Sequence, residues 1–508
     1  MSEQAKRRGS LGQHAGVATP QPPPPEKDSA QASAPDAGST PHPLGQPRLR
    51  TIDRQQILPP MTLDQVIEPD HPARSVWRFV QGLDLTPLYQ RIASREHSAG
   101  RPASDPRVLV ALWLYAILYR VVSARRLADL CTYHNAFLWL RGGVPVNHHM
   151  LSDFLVEHLD FLKQLFIHSV KVLREEGLVD LHRVGQDGIR VRASAGAASF
   201  HCQATLQRQL EEAQAEWTRL QEELQLAPGP TAASGPTQTP EVVVKQEDVS
   251  EPSAARQDKP KLSKQQAAAV RAAREQLQRA EQALQRLPEM EAKKKADDKD
   301  KARVSSTDPQ ATVMKMPDGG YRPAYNIQYS TDCGHQVIVG VEVVTIGSDQ
   351  GQLQPMLTQV EKDLGKKPEE ALVDGGFVKL EEIEEIQKEE EGKTATKVYM
   401  PVPEPKDKKR QRYAAMPGDS ETVAEWRERM GTEEAKEIYK ERAATAELVN
   451  AQARNRGLVR LLVRGVKKVK AVALWFATVH NMARAFALLP QPTPLQGEAP
   501  GLSVTFAI

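Results

Sequence analysis

The chain has 508 residues, enough for two to four domains and a sizeable core, and its formal charge of +2 is too near neutral to name a partner. Three cysteines, Cys131, Cys202 and Cys333, lie far apart without a Cys-x-x-Cys pair, which argues against a disulfide framework or a zinc module. The basic N-terminus leads into no apolar segment, and the longest apolar run, Val108 to Tyr119, is too short to span a bilayer, so a cytoplasmic protein with no membrane partner is expected.

Residues 1–60 read as a disordered Pro-rich tail, most clearly over 1–50, which includes Pro22-Pro23-Pro24-Pro25 and few large apolar residues. From 61 to 180 the pattern is helical, with Val76, Phe79, Val80 and Leu83 on one face. Asp105-Pro106 reads as N-cap and first residue of a helix through Val122, Ser123 as the cap of a short helix, and Asn147 as the cap of the helix holding Phe154. Arg141-Gly142-Gly143 marks a break. Arg120, Arg125, Arg126 and Arg141, with His148 and His149, suit contacts to DNA phosphates. Their spacing fits a helical bundle with solvated arginines at least as well.

Residues 181–192 alternate polar and apolar side chains, predicting a strand that bears Asp187. The segment 203–303 reads as an inserted arm: two helices, 204–226 and 262–300, joined by a loose Pro/Thr/Ser-rich loop at 228–260 and pairing as an antiparallel coiled coil. Such an arm suits DNA, a second subunit or a solvated insertion, and the mixed charges from Lys293 to Lys301 favour the last. Beyond it, alternation at Tyr325, Ile327 and Tyr329 and again from Val337 to Val343 predicts a hairpin. A helix over 350–364 follows, then a strand over 371–377 that carries Asp374, a charged helix over 381–391, a strand over 396–402 and a polar loop to Ser420.

The last long helical pattern holds Tyr439, Arg442, Glu447 and Arg454. At about 100° per residue, Glu447 and Arg454 fall about 20° apart, with Tyr439, Ala443 and Asn450 in the same stripe. After Glu447 the next acid is Glu498, while Arg454, Arg456, Arg460, Arg464, Lys467, Lys468, Lys470 and Arg484 lie between. This one-signed charge suits a polyanion such as DNA. A lone carboxylate there would repel phosphate unless a divalent cation bridged the two. An acid on a first strand, one after a later strand and one on a closing helix can together hold two Mg²⁺ ions about 3.5 to 4 Å apart for phosphodiester chemistry. Taken singly, each is as well read as a turn aspartate or a solvated helical glutamate.

These phrases resemble the DDE-class transposases of bacterial insertion sequences. The signature of that family is matched by Tyr439, Arg442 and Glu447, followed by Arg454 and by Arg456-Gly457 through Arg464-Gly465. Asp187-Gly188, Asp308-Pro309, Asp318-Gly319-Gly320-Tyr321, Tyr325-Asn326-Ile327-Gln328, Gln352-Leu353-Gln354-Pro355-Met356, Asp374-Gly375-Gly376-Phe377 and His480-Asn481 match as well. The resemblance implies an α/β chain: a ribonuclease-H-like catalytic core over 181–486, interrupted by the arm, behind an all-helical DNA-binding domain at 61–180 and before a tail at 487–508. It implies that Asp187, Asp374 and Glu447 bind two Mg²⁺ (or Mn²⁺) ions, and that Tyr439, Arg442 and Arg454 position DNA, with Arg125 and Arg126 on the helical domain. It further implies the terminal repeats of the element and target DNA as partners, and a homodimer or larger synaptic complex. Two departures stand out: 380–438 contains no cysteine, and Leu155 follows Ser152-Asp153-Phe154 where relatives often carry arginine. The rival expectations are a repurposed, non-catalytic DNA-binding protein and a nuclease of the same fold without strand transfer.

Overall fold

Asp105, Ser123 and Asn147 begin helices as their side chains dictate, each accepting a backbone N–H of the first turn: Arg107 N at 2.8 Å, Arg126 N at 3.4 Å and Met150 N at 3.0 Å. The computed structural model describes residues 61–94, 102–224, 263–377, 379–387, 395–405 and 409–489. The expected Pro-rich tail at 1–60, the loop at 228–260 and the C-terminal tail beyond 489 lie outside the described residues.

Seven helices come first: α1 Pro72–Gln81, α2 Thr86–Gln90, α3 Pro106–Leu118, α4 Ala124–Tyr133, α5 Asn135–Arg141, α6 His148–Glu157 and α7 Leu159–Glu175. Helix α3 is apolar all round and is buried from Val108 to Ile117, with α1, α5 and α6 against it. Next come strands β1 Arg183–Arg192 and β2 Phe200–His201, helices α8 Gln203–Leu224 and α9 Lys264–Ala292, and strands β3 Val304–Ser305, β4 Thr312–Lys315, β5 Tyr321–Asp332 and β6 Ile338–Val344. Then follow α10 Leu353–Leu364, β7 Glu370–Leu372, α11 Leu380–Gln387, β8 Lys397–Tyr399, α12 Glu421–Gly431, α13 Glu433–Arg442, a π turn Ala443–Glu447, α14 Leu448–Asn455 and α15 Val466–Leu488.

In the main sheet β1 is central. It runs antiparallel to β5 and parallel to β7, β7 pairs in parallel with β8, and β6 and β4 both pair antiparallel with β5. Because successive side chains alternate, Gly185, Asp187, Ile189 and Val191 share one face, and Gln186, Gly188 and Arg190 the other. That second face is buried yet polar: Gln186 donates to Gln328 Oε1 at 3.1 Å and to the Gln352 carbonyl at 3.0 Å, and Asn326 and Ser330 are buried beside them.

Helix α15 joins everything. It packs on α3, α6, α7 and β6, and the Trp475 indole, fully buried, donates to the Leu155 carbonyl at 3.1 Å. The helices and the sheet therefore share one continuous core. None of the described helices is long and apolar enough to cross a membrane.

The arm is a helical pair. Leu206, early in α8, clusters with Ala283 and Leu287, late in α9, so the two helices run antiparallel. Several expectations shift. The helix expected through Val122 ends at Leu118. Helix α9 stops at Ala292, with Pro288 in its last turns, and a short 3₁₀ helix Ala296–Lys301 follows. The strand expected over 371–377 ends at Leu372, because Asp374-Gly375-Gly376 turns into a 3₁₀ helix, Gly375–Phe377. The strand expected over 396–402 keeps only Lys397–Tyr399.

The hairpin turn after β5 carries a titration. Asp332 is buried and accepts the N–H groups of Leu181 (3.2 Å), Gly334 (3.0 Å) and His335 (3.4 Å). Burial outweighs these bonds and, with nearby Asp180, pushes its carboxyl up to about 6. The folded state then binds more protons than the unfolded state between about pH 4 and pH 6, so this group's contribution to stability falls as pH rises across that window. Asp332→Asn is expected to flatten that slope in urea titrations at stepped pH; an unchanged slope would assign it to other groups.

Candidate active site

Asp187 lies mid-strand on β1, on the face where Gly185 packs against Thr445 and Ala446 of the π turn. Its Oδ1 accepts the Gly188 N–H at 2.8 Å and its Oδ2 accepts Asn450 Nδ2 of α14 at 3.0 Å. Burial raises its carboxyl above the ordinary range, the Arg442 charge opposes this, and Asp349 adds to the rise. Asp374, just past β7, and Glu447, at the end of the π turn, are both more than half exposed.

One guanidinium joins two of these groups. Arg442, whose side chain is 12 % exposed, donates to Glu447 Oε1 at 2.8 Å and stands 3.8 Å from Asp374 Oδ2. Residues five apart on a regular α-helix face about 140° away from each other. The π turn, closed by i→i+5 bonds, adds the residue that brings Arg442 and Glu447 to one side. The single helical stripe expected from 439 to 454 is thus broken: Ala443 is exposed while Asn450 is buried against Asp187. Half-buried Tyr439 sits in the same field: burial raises its phenol, Arg442 lowers it, and Asp374, Glu447 and Asp187 each raise it. Helix α13 is held in place by Arg183 of β1, which bonds Glu370 at 2.6 Å and Glu441 at 2.7 Å.

Arg454 is exposed on α14. Arg125 and Arg126 are exposed on α4, among the N-terminal helices rather than around the three acids, and Arg126 both bonds the Tyr133 hydroxyl and stacks on its ring. Among the described residues no three His, Cys, Asp or Glu side chains are grouped closely enough to hold a metal ion. The donor chemistry nevertheless fits a hard divalent cation: the acids offer only oxygen, and two of them already share one positive head, that of Arg442.

Two site residues carried no assigned role in the sequence, Asn450 and Asp349. Asn450 lay in the helical stripe, but nothing local pairs it with a residue 263 positions away. Asp349 accepts Asn326 Nδ2 at 2.7 Å and Gln328 Nε2 at 2.6 Å on the polar face, directly behind Asp187-Gly188. A Cβ at Gly188 would lie 2.3 Å from Asp349 Oδ1, 2.4 Å from Gln328 Nε2 and 2.5 Å from Asn326 Oδ1, which explains the glycine there. Other motif phrases hold the frame. Buried Asp308 accepts the Tyr325 hydroxyl at 2.7 Å and the Gly465 N–H at 3.2 Å, tying the start of α15 to β5. Asn481 bonds both the N–H and the carbonyl of Ile338 at 2.8 Å, tying α15 to β6.

Residues 61–157 match the family model described as Transposase domain (DUF772), and residues 404–486 match the one described as Transposase DDE domain. The second match includes Tyr439, Arg442, Glu447 and Arg454; Asp187 and Asp374 lie before it. No curated protein and no solved structure matches the chain. The two matched regions meet through α15, and together the two matches support a DDE-class transposase.

Proposed function

We propose that the chain is the transposase of an insertion sequence, which binds the terminal repeats of its element, cuts the strand at each end and joins the freed end to target DNA. One observation carries this reading: Asp374 and Glu447, 73 residues apart, meet on Arg442, whose charge also acts on Asp187. The strand order, with a central β1 antiparallel to β5 and parallel to β7, supports a ribonuclease-H-like core. In this reading Asp187, Asp374 and Glu447 hold Mg²⁺ or Mn²⁺, two ions in all, which would supply Lewis-acid activation of the attacking and leaving oxygens.

The residues of the chain then divide the work. Asn450 and the Gly188 N–H hold the Asp187 carboxylate in one orientation. Tyr439 and Arg454 face the DNA strand near the cleavage point, and Arg125 and Arg126 contact backbone phosphates from the helical segment. Water attacks the phosphodiester and releases a 3′-hydroxyl. That hydroxyl attacks a target phosphodiester, forming one bond as it breaks another. Holding two ends at once calls for a dimer or larger complex. The test is a product assay on DNA carrying the ends of the element: joined product is expected, whereas cut but never joined DNA identifies a nuclease.

Arg442 has a checkable role in this scheme. Arg442→Met removes the cation shared by Asp374 and Glu447, leaving two carboxylates facing each other. Its Tm in chelator is expected to fall below that of the unaltered protein, and millimolar Mg²⁺ is expected to raise its Tm by more. Equal Mg²⁺ shifts in both proteins would show that Arg442 and the metal do not compete for these oxygens.

A further inference from the structure

Between α14 and α15 runs the loop Arg456 to Gly465, in which Leu458 and Leu461 are buried at 2 % exposure while Val459 and Leu462 are 56 % and 58 % exposed. Exposed single apolar residues are ordinary on protein surfaces. These two differ because the backbone that presents them is fixed along its length. The Arg192 N–H donates to the Val459 carbonyl at 3.3 Å, and the Leu461 N–H donates to the Arg192 carbonyl at 2.8 Å, so the loop is stitched to the end of β1. At one end Gly457, with φ +100°, lies against Val122, where a Cβ would approach to 3.0 Å. At the other, Arg464 Nε donates to the Ser194 carbonyl at 3.2 Å and the Gly465 N–H is held by Asp308.

The loop and its flanks are cationic, while Asp153 and Glu275 share the cleft beside Leu462 and Asp318 pairs with Arg192 at 3.6 Å. Arg454, Arg460, Arg464, Lys467 and Lys468 are exposed, and no acid occurs between Glu447 and Glu498. A second copy of this surface would be repelled by that charge, whereas a nucleic-acid duplex is attracted by it. Apolar side chains set in a basic surface are what DNA-bending proteins insert between base steps. The loop also has a defined relation to the candidate site: Arg192 is five residues from Asp187 along β1, a span of about 17 Å, or about five base-pair steps.

We propose that this loop is a DNA wedge, with Val459 and Leu462 entering the base stack of the duplex that flanks the cleavage point. The inference rests on the DNA-acting reading above and adds an unstacking site to it. The test uses the full chain and a duplex carrying one element end, with 2-aminopurine placed singly at successive positions from the cleavage point. Binding is expected to raise 2-aminopurine emission several-fold at one or two positions about five steps from that point. Val459→Ser with Leu462→Ser is expected to abolish that rise, leave the melting curve unchanged and keep the salt dependence of binding. Arg460→Gln is expected to lower the salt slope by about one while the emission peak persists.

A bound duplex without any emission rise, or a rise that survives the double serine variant, would overturn the wedge and leave the DNA reading intact. So would a dimer that sediments as monomer only in the double variant, since the apolar pair would then belong to a second copy. Absence of DNA binding by the unaltered protein would instead remove the DNA reading, and the wedge with it.

Discussion

Asp187→Ala, Asp374→Ala and Glu447→Ala are each expected to reduce divalent-cation-dependent cleavage of element-end DNA by about 10³-fold or more, with DNA binding kept within a few-fold. The size follows from the charge: losing one ligand forfeits several kcal/mol of transition-state stabilisation, and each ~1.4 kcal/mol is a factor of ten. Binding is expected to survive because the proposed scheme supplies it elsewhere, through exposed Arg454, Arg460, Arg464, Lys467 and Lys468 and the arginines on α4. Damage to the fold cannot imitate the result at two of the positions, since Asp374 and Glu447 are more than half exposed. Asp187 is more enclosed, so Asp187→Asn is the companion variant; it keeps a side-chain oxygen for Asn450 while removing the charge. Normal cutting by the alanine variants, or an unaltered protein that binds and never cuts, would leave a DNA-binding protein without catalysis.

Trp475→Ala is expected to cost about 3 to 5 kcal/mol, the range for deleting a large buried aromatic side chain. The indole is fully buried, bonds the Leu155 carbonyl and lies 6.4 Å from Phe154, so it joins the last helix to the N-terminal helical segment. Because the core is continuous across that joint, calorimetry is expected to show one transition at a lower temperature, with helices and sheet melting together. Two separated transitions, the sheet keeping its original Tm, would show that the joint is not where the cooperativity lies.

The helix caps, the strand at Asp187 and the hairpin were legible because each depends on a few neighbouring residues. Asp105, Ser123 and Asn147 cap helices through bonds two or three residues away. The β5–β6 hairpin shows in the alternation of Val, Ile and Tyr. Motif order and the family resemblance singled out Asp187, Asp374, Glu447, Tyr439 and Arg442; of these, Asp374 and Glu447 lie against the Arg442 guanidinium.

Less local features were not legible. The buried polar face of Gln186, Asn326 and Gln328 reads in sequence as a solvated strand face, and only the cover from Asp349 to Gln352 makes it interior. The π turn cannot be told from an ordinary helix by apolar spacing, because Ala443-Ala444-Thr445-Ala446 suits either geometry.

By itself, then, the sequence determined the element types, the basic surface after Glu447 and the identity of the acidic residues, all consequences of side-chain chemistry and short-range periodicity. The tertiary structure decided which residues meet. It set Asn450 on Asp187, Arg442 between two acids and Asp349 behind Gly188, and it held Val459 and Leu462 outward on a pinned loop. Such pairings span tens to hundreds of residues and depend on strand register, helix phase and packing, which no local pattern encodes.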